Sequence, residues 1–248
     1  MTAGLGWIVA VFAAAAWLAP PPVRAGPPYV TDDPEPTDTG HWEVYDFVSG
    51  AGIGPGVIGQ TGFDINYGAA RNLQLTTVIP LDYAVDPRGH LGAGDIEIAA
   101  KYRFLRQGDE PRDWDVSFFP RLFAPVARPP TGTGRLGAFL PLWAQKDWGP
   151  WSLFGGGGYT INPGPGQRDY WLGGVAVTRS LTKRLSVGVE AYQQTASEIG
   201  GRTYTAVNLG ADYSLTRHWS LLLSGGPGVE NPRQEGRYNF YLALKLDY

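Results

Sequence analysis

Residues Tyr238–Tyr248 read YNFYLALKLDY. Tyr238, Phe240, Leu242, Leu244, Leu246 and Tyr248 make one apolar row. Asn239, Tyr241, Ala243, Lys245 and Asp247 make the other. A period of two means a strand, whose successive side chains point to opposite faces. The apolar row begins and ends on aromatics, while the second row carries both signs of charge. A strand with lipid on one side and a wet interior on the other has this pattern.

The same alternation recurs upstream. Thr61, Phe63, Ile65 and Tyr67 oppose Gln60, Asp64 and Asn66. Leu73, Leu75, Thr77, Ile79, Leu81 and Tyr83 oppose Gln74, Thr76 and Asp82. Ile96, Ile98, Ala100, Tyr102 and Phe104 oppose Asp95, Glu97, Lys101 and Arg103. Val207, Leu209, Ala211, Tyr213 and Leu215 oppose Tyr204, Asn208, Asp212 and Ser214. Twelve strand candidates follow, over 41–50, 59–68, 73–84, 93–105, 114–126, 135–146, 151–161, 169–180, 185–196, 203–215, 219–227 and 237–248. Asp46 spoils one row of the first, and the eighth is mostly Gly, Ala and Val.

Alternate connections are tight and often basic, such as Ala69–Asn72, Thr182–Arg184 and Thr216–His218. Two sit in near-repeats, SLTKRLSVGV from Ser180 and SLTRHWSLLL from Ser214. The others (51–58, 85–92, 127–134, 162–168, 197–202 and 228–236) are richer in Gly and Pro. An even strand count with short turns on one side predicts an all-β fold, a single antiparallel up-and-down transmembrane barrel of about 12 strands. Closure is obligatory, because a backbone group left unpaired in hydrocarbon costs several kcal/mol. The competing soluble sandwich or small soluble barrel also alternates. It would not need aromatics at both ends of so many apolar rows.

Leu5–Leu18 is almost wholly apolar, Pro20–Pro22 break it, and Val23-Arg24-Ala25 offers a cleavage site. Residues 1–25 therefore read as a signal peptide. Residues 26–40 (GPPYVTDDPEPTDTG) have no period and read as an extended segment, either a plug folded into the lumen or a free leader. The formal charge of −3 points to no nucleic-acid partner. With no cysteine there is neither a disulfide framework nor a thiolate metal site. Gly, 35 of 248 residues, is about twice the usual share of roughly 7%. The expected location is the outer membrane of a Gram-negative bacterium, and outer-membrane lipid is one expected partner. The barrel-assembly machinery is a second, through the aromatic-ended C-terminal strand.

The chain resembles a family of outer-membrane barrels associated with the meta pathway of phenol degradation. The resemblance rests on TDDPEP (Thr31–Pro36) followed by Gly40-His41-Trp42-Glu43, on GAGDIEIAAKYRF (Gly92–Phe104), on LPLW (Leu140–Trp143) and on the run Gly155–Gly158. It implies a transporter-like barrel, related to channels for fatty acids and aromatic hydrocarbons.

The inward rows gather Asp64, Asn66, Asp82, Asp95, Glu97, Lys101, Arg103, Arg121, Glu190, Asp212, Lys245 and Asp247. They form either a selective pore lining or a mutually neutralising network, and near-balanced charge favours the network. Phe119, Phe123, Trp143, Tyr192, Tyr204 and Tyr241 either stack on an aromatic permeant or fill space. Pro80, Pro120 and Pro141 lie inside strands, where each removes a ladder hydrogen bond. They mark either a seam for lateral exit or a device for curvature. His41, His90 and His218 are too scattered for a Ser-His-carboxylate triad, and no HExxH spacing occurs. TDDP is a turn rather than a calcium site, and Gly50–Gly56 is a hairpin loop rather than a nucleotide loop. No enzyme activity, cofactor or metal is expected. The expected function is a passive channel whose partner is a small, aromatic or apolar permeant. A structural barrel with a sealed lumen and an outer-membrane lipid-modifying enzyme are the alternatives.

Overall fold

A computed structural model describes residues 28–85, 89–108, 113–127, 131 and 134–248. The expected signal peptide, together with Gly26 and Pro27, lies outside them. Fourteen strand segments form one sheet: β1 (Trp42–Ile53), β2 (Gly56–Ala70), β3 (Leu73–Val85), β4 (His90–Ala93), β5 (Ile96–Leu105), β6 (Asp115–Phe118), β7 (Arg121–Ala124), β8 (Gly137–Trp148), β9 (Trp151–Ile161), β10 (Tyr170–Ser180), β11 (Leu185–Gln194), β12 (Tyr204–Ser214), β13 (Trp219–Glu230) and β14 (Tyr238–Asp247). A single turn of helix, α1 (Pro232–Glu235), sits between the last two strands. β4 with β5, and β6 with β7, are halves of single crossings, so the wall has twelve staves.

Among the described residues every pairing between these strands is antiparallel and, apart from the closing pair, joins successive staves. The ring closes where β14 meets β1, from Glu43 opposite Asp247 to Ala51 opposite Asn239. Turns are tight at the end that carries Trp42 and Tyr248. Asn72 (φ 64) and Gly149 (φ 57) supply the left-handed residues that such turns need. Short turns mark this as the periplasmic end of an outer-membrane barrel.

Burial is inverted relative to a water-soluble protein. Phe63, Leu75, Ile79, Ile98, Leu142 and Leu209 are exposed on the outer wall, while Asn66, Thr76, Lys101, Gln145, Glu190 and Asn208 are buried inside. Exposed Trp42, Trp148, Trp151 and Trp219 ring the tight-turn end, and Trp171 and Tyr238 stand at the other. An apolar belt between aromatic girdles is the signature of a lipid-bathed barrel. The rows read from sequence thus face as expected.

Three details differ from the sequence reading, while Asp46 spoils the outer row of β1 as expected. β1 runs on to Ile53 and β2 begins at Gly56, so Gly50–Gly56 is chiefly strand around a two-residue turn, Gly54-Pro55. β13 extends to Glu230, beyond the expected stop at 227. Asp46 faces outward, opposite Leu244 on β14 and Phe63 on β2. The three prolines are not equivalent. Pro120 separates β6 from β7, whereas Pro80 and Pro141 lie in unbroken β3 and β8. The wall stays hydrogen-bonded at the break, with Ala100 N–H donating to the Pro120 carbonyl (3.2 Å) and Phe119 N–H to that of Pro141 (3.2 Å).

Leu209→Arg, at the middle of β12 on the outer wall, is expected to destabilise the barrel by about 2–4 kcal/mol if lipid surrounds it. Reversible denaturant unfolding in phospholipid vesicles reads this directly. A neutral effect would mean that water bathes that face.

Candidate functional site in the barrel lumen

Residues Pro28–Gly40 run inside the barrel from mid-height to the tight-turn end. At Thr39 the segment makes a parallel bridge to Gly68, and the chain then turns into β1 through His41 N–H to Asp38 O (3.0 Å). Above that bridge its bonds go chiefly to side chains of the wall. Thr37 N–H donates to Gln74 Oε1 (2.8 Å), Thr31 N–H donates to Glu190, and Ser224 donates to the Pro28 carbonyl. Lys101 Nζ reaches Asp32 Oδ1 at 3.0 Å and Asp33 Oδ1 at 3.8 Å. Thr31, Asp33 and Pro34 are fully buried.

The wall is shaped to receive this segment. Gly174, Gly188 and Gly210 project no side chain inward from β10, β11 and β12. A methyl group at 210 would stand 2.6 Å from the Tyr29 ring, and one at 188 would stand 2.6 Å from its hydroxyl. One at 174 would collide with Thr31. The Tyr29 ring centroid lies 6.0 Å from that of Phe154 on β9.

The segment separates two spaces. Beneath lies a polar cavity of about 270 Å³, bordered by Asp32, Asp33, Glu35, Asp64, Asn66, Gln74, Lys101, Phe119, Arg121 and Lys245. Above lies a chamber of about 910 Å³, lined by Tyr29, Val30, Glu97, Arg121, Phe123, Phe139, Tyr170, Leu172, Tyr192 and Tyr241. A third hollow, of about 660 Å³, opens at the tight-turn rim among Lys183, Arg184, Arg217, Asp212 and Lys245.

The charged side chains pair across strands. Arg121 Nε meets Glu97 Oε1 at 2.8 Å, and Lys245 Nζ meets Glu43 Oε1 at 3.2 Å and Asp247 Oδ1 at 3.0 Å. Lys101 and Arg121 each hold a charge 4.8 Å from the centre of the Phe119 ring. Asn66 Nδ2 donates to Asp64 Oδ1 (2.9 Å), and Asn208 Nδ2 donates to Glu190 Oε2 (2.9 Å).

The expected site residues therefore divide. Asp64, Asn66, Lys101, Arg121 and Lys245 border the lower cavity. Glu97, Arg121, Tyr192 and Tyr241 border the chamber. Asp212 and Lys245 border the rim hollow. Glu190 holds the segment by Thr31. Four candidates stand apart. Asp95 lies in the gap between β4 and β5, where it accepts Ala127 N–H (3.0 Å). Arg103 pairs with Asp115 at 3.3 Å. Trp143 is buried against Phe139 (6.4 Å between rings) within a cluster that includes Ala99 and Phe119. Tyr204 packs against Tyr192 (5.9 Å), which itself lines the chamber. Inward parity selects a face of the strand but not a height along it. The sequence reading missed Tyr29, Asp32, Asp33, Phe139, Tyr170 and Leu172 as lining residues. Phe139 and Tyr170 were legible as aromatics on strands, whereas the segment has no period to place its side chains.

The family model described as "Putative MetA-pathway of phenol degradation" matches residues 39–244. TDDPEP thus lies before the matched region. None of the curated proteins compared matches the sequence. Among solved structures, an outer membrane channel from Pseudomonas putida F1 superposes with a TM-score of 0.68 at 13% identity, covering 87% of this chain and 98% of that one. The NanC porin superposes with a TM-score of 0.56 at 10% identity, covering 83% and 98%. The likeness is one of fold. A closed barrel of that fold, with its apolar belt and girdles, belongs in the outer membrane of a Gram-negative bacterium.

Burial holds the Asp33 carboxyl well above its usual range, and repulsion from Asp32 and Glu35 adds to this. Lys101 pulls the other way, but it sits nearer Asp32 than Asp33. A raised carboxyl contributes docking stability that is complete below its free value of about 3.9 and is lost as pH rises through the raised value. Amide hydrogen exchange over 28–40, corrected for its intrinsic pH dependence, is therefore expected to speed up as pH rises from about 4. Asp33→Asn should flatten that slope. An equal slope in the variant would assign the effect to another group.

Proposed function

The chain belongs to the MetA-pathway phenol-degradation family, and on that premise we propose that it is an outer-membrane channel for passive entry of small aromatic or apolar molecules, closed at rest by residues 28–40. The observation that carries this reading is the aromatic-lined chamber of about 910 Å³ whose floor is Pro28–Val30 rather than the barrel wall. A floor made of chain outside the sheet can move without breaking the ladder that seals the barrel.

The lining suits the permeant class. Phe123, Phe139, Tyr170, Tyr192 and Tyr241 present ring faces and edges, and aromatic pairs contribute about 0.5–1.5 kcal/mol beyond the area they bury. That is enough to concentrate a ring without trapping it. Charge in the chamber lining lies on β3, β5 and β7, where Glu97 and Arg121 neutralise each other and Asp82 accepts from Gln60 Nε2 (2.8 Å). Two solved barrels of this fold, described as a channel and a porin, support a conducting role.

The rival reading, a structural barrel with a sealed lumen, draws on the full burial of Thr31, Asp33 and Pro34. Deleting 28–38 separates the two. The channel reading expects higher single-channel conductance in planar bilayers and faster entry of phenol than of benzoate into proteoliposomes. Conductance and permeability equal to those of the intact chain would favour the sealed barrel.

A further inference from the structure

Tyr29 differs from the other residues of the segment. Pro28, Thr31, Asp32 and Thr37 are held by polar bonds to the wall, whereas Tyr29 is held by shape. Its ring lies over the bare backbone of Gly210 and its hydroxyl over that of Gly188, with Phe154 at its flank. Neither position carries a side chain to fill the hollow; Thr178 borders it beside Gly188, and over Gly210 it is filled by the flat ring from the lumen. Burial, and then the negative charges of Glu190 and Asp212, push the Tyr29 hydroxyl above the usual tyrosine range. The ring also forms part of the chamber floor, so the seat and the chamber are contiguous.

We propose that this hollow is a binding seat for neutral monohydric phenols, and that Tyr29 is a tethered copy of the ligand occupying it at rest. A phenol that reaches the chamber competes with Tyr29 for the glycine floor, and its occupancy biases residues 28–40 toward release. The chemistry sets the class. The two-glycine floor takes a planar ring. The nearby carboxylates of Glu190 and Asp212 repel phenolates and benzoates. The proposal rests on the reading of residues 28–40 as a displaceable floor.

Competition with a tethered group leaves a signature that an ordinary wall residue does not. If the seat is vacant for roughly 1–10% of the time, removing the tethered ring tightens apparent affinity about ten- to a hundredfold. The probe is p-cresol, the free equivalent of the tyrosine side chain, titrated calorimetrically into the purified full chain in detergent. Tyr29→Ala should bind p-cresol at least tenfold more tightly than the parent, by the same occupancy argument. In that background benzoate should fail to compete. Tyr29→Ala combined with Gly210→Val, which fills the floor, should lose the gain. Gly210→Ala, whose methyl meets the seated ring and nothing nearer in the wall, serves instead if the Val variant does not fold, as judged by heat-modifiable mobility. Equal or weaker p-cresol binding by Tyr29→Ala, no binding by either protein, or a gain that survives the filled floor would overturn the proposal. These titrations need no conductance. If Tyr29→Ala binds as expected but deletion of 28–38 leaves conductance unchanged, the seat stands and the gating reading falls.

Discussion

The whole molecule depends on one constraint: in hydrocarbon, every backbone N–H and C=O must find a partner within the protein. That requirement joins β14 to β1 and turns a meander into a cylinder. It also governs the two staves that break. Between β4 and β5, Gly94 N–H donates to the Pro80 carbonyl (2.9 Å), and the Asp95 carboxylate takes Ala127 N–H (3.0 Å). Between β6 and β7, the carbonyl of Pro120 still serves Ala100. The breaks let the wall bend while its donors and acceptors stay occupied.

The interior obeys a different rule, because water can reach it. Lys101, Arg121 and Lys245 each have a carboxylate at hand, but the partners come from two sources. Arg121 and Lys245 pair with residues of the wall, whereas Lys101 pairs with Asp32 and Asp33 of the segment. A buried ion pair contributes little beyond what hydration of the separated charges would supply. Moving the segment therefore exchanges Lys101 contacts for water, while the Arg121 and Lys245 pairs keep their geometry. The wall is held by bonds that lipid cannot replace. The segment is held largely by bonds that water can.

This difference also explains what was legible in the sequence. The twelve crossings followed from rows such as Leu73–Tyr83 and Val207–Leu215, because lipid demands an uninterrupted apolar face and any shift of one residue exposes the wrong row. Strand ends were less legible. β1 and β13 continue past the expected stops at Gly50 and Pro227, through 51–53 and 228–230, which the glycine and proline around them made read as loop although their backbone lies in strand. Inward parity correctly separated Lys101 and Glu190 from Leu75 and Leu209, yet it could not say that Trp143 would be buried in the wall cluster while Tyr241 faced the chamber. Those distinctions depend on height and on what lies across the lumen. Only the placement of residues 28–40 decides them, and a segment without period gives no register.

The glycines carry the same argument one step further. In a strand, a glycine weakens the ladder and contributes no packing of its own. Gly188 on β11 also makes room for Thr178 and Val177 of the wall, but the hollow over Gly210 on β12 is a cost that the barrel gains nothing from unless something else occupies it. Tyr29 occupies it, and it belongs to a stretch of chain that the barrel does not require for closure. A hollow that a loosely held ring fills at rest is one that an equivalent free ring can contest. The outcome of that contest depends on concentration, whereas the ladder around it does not.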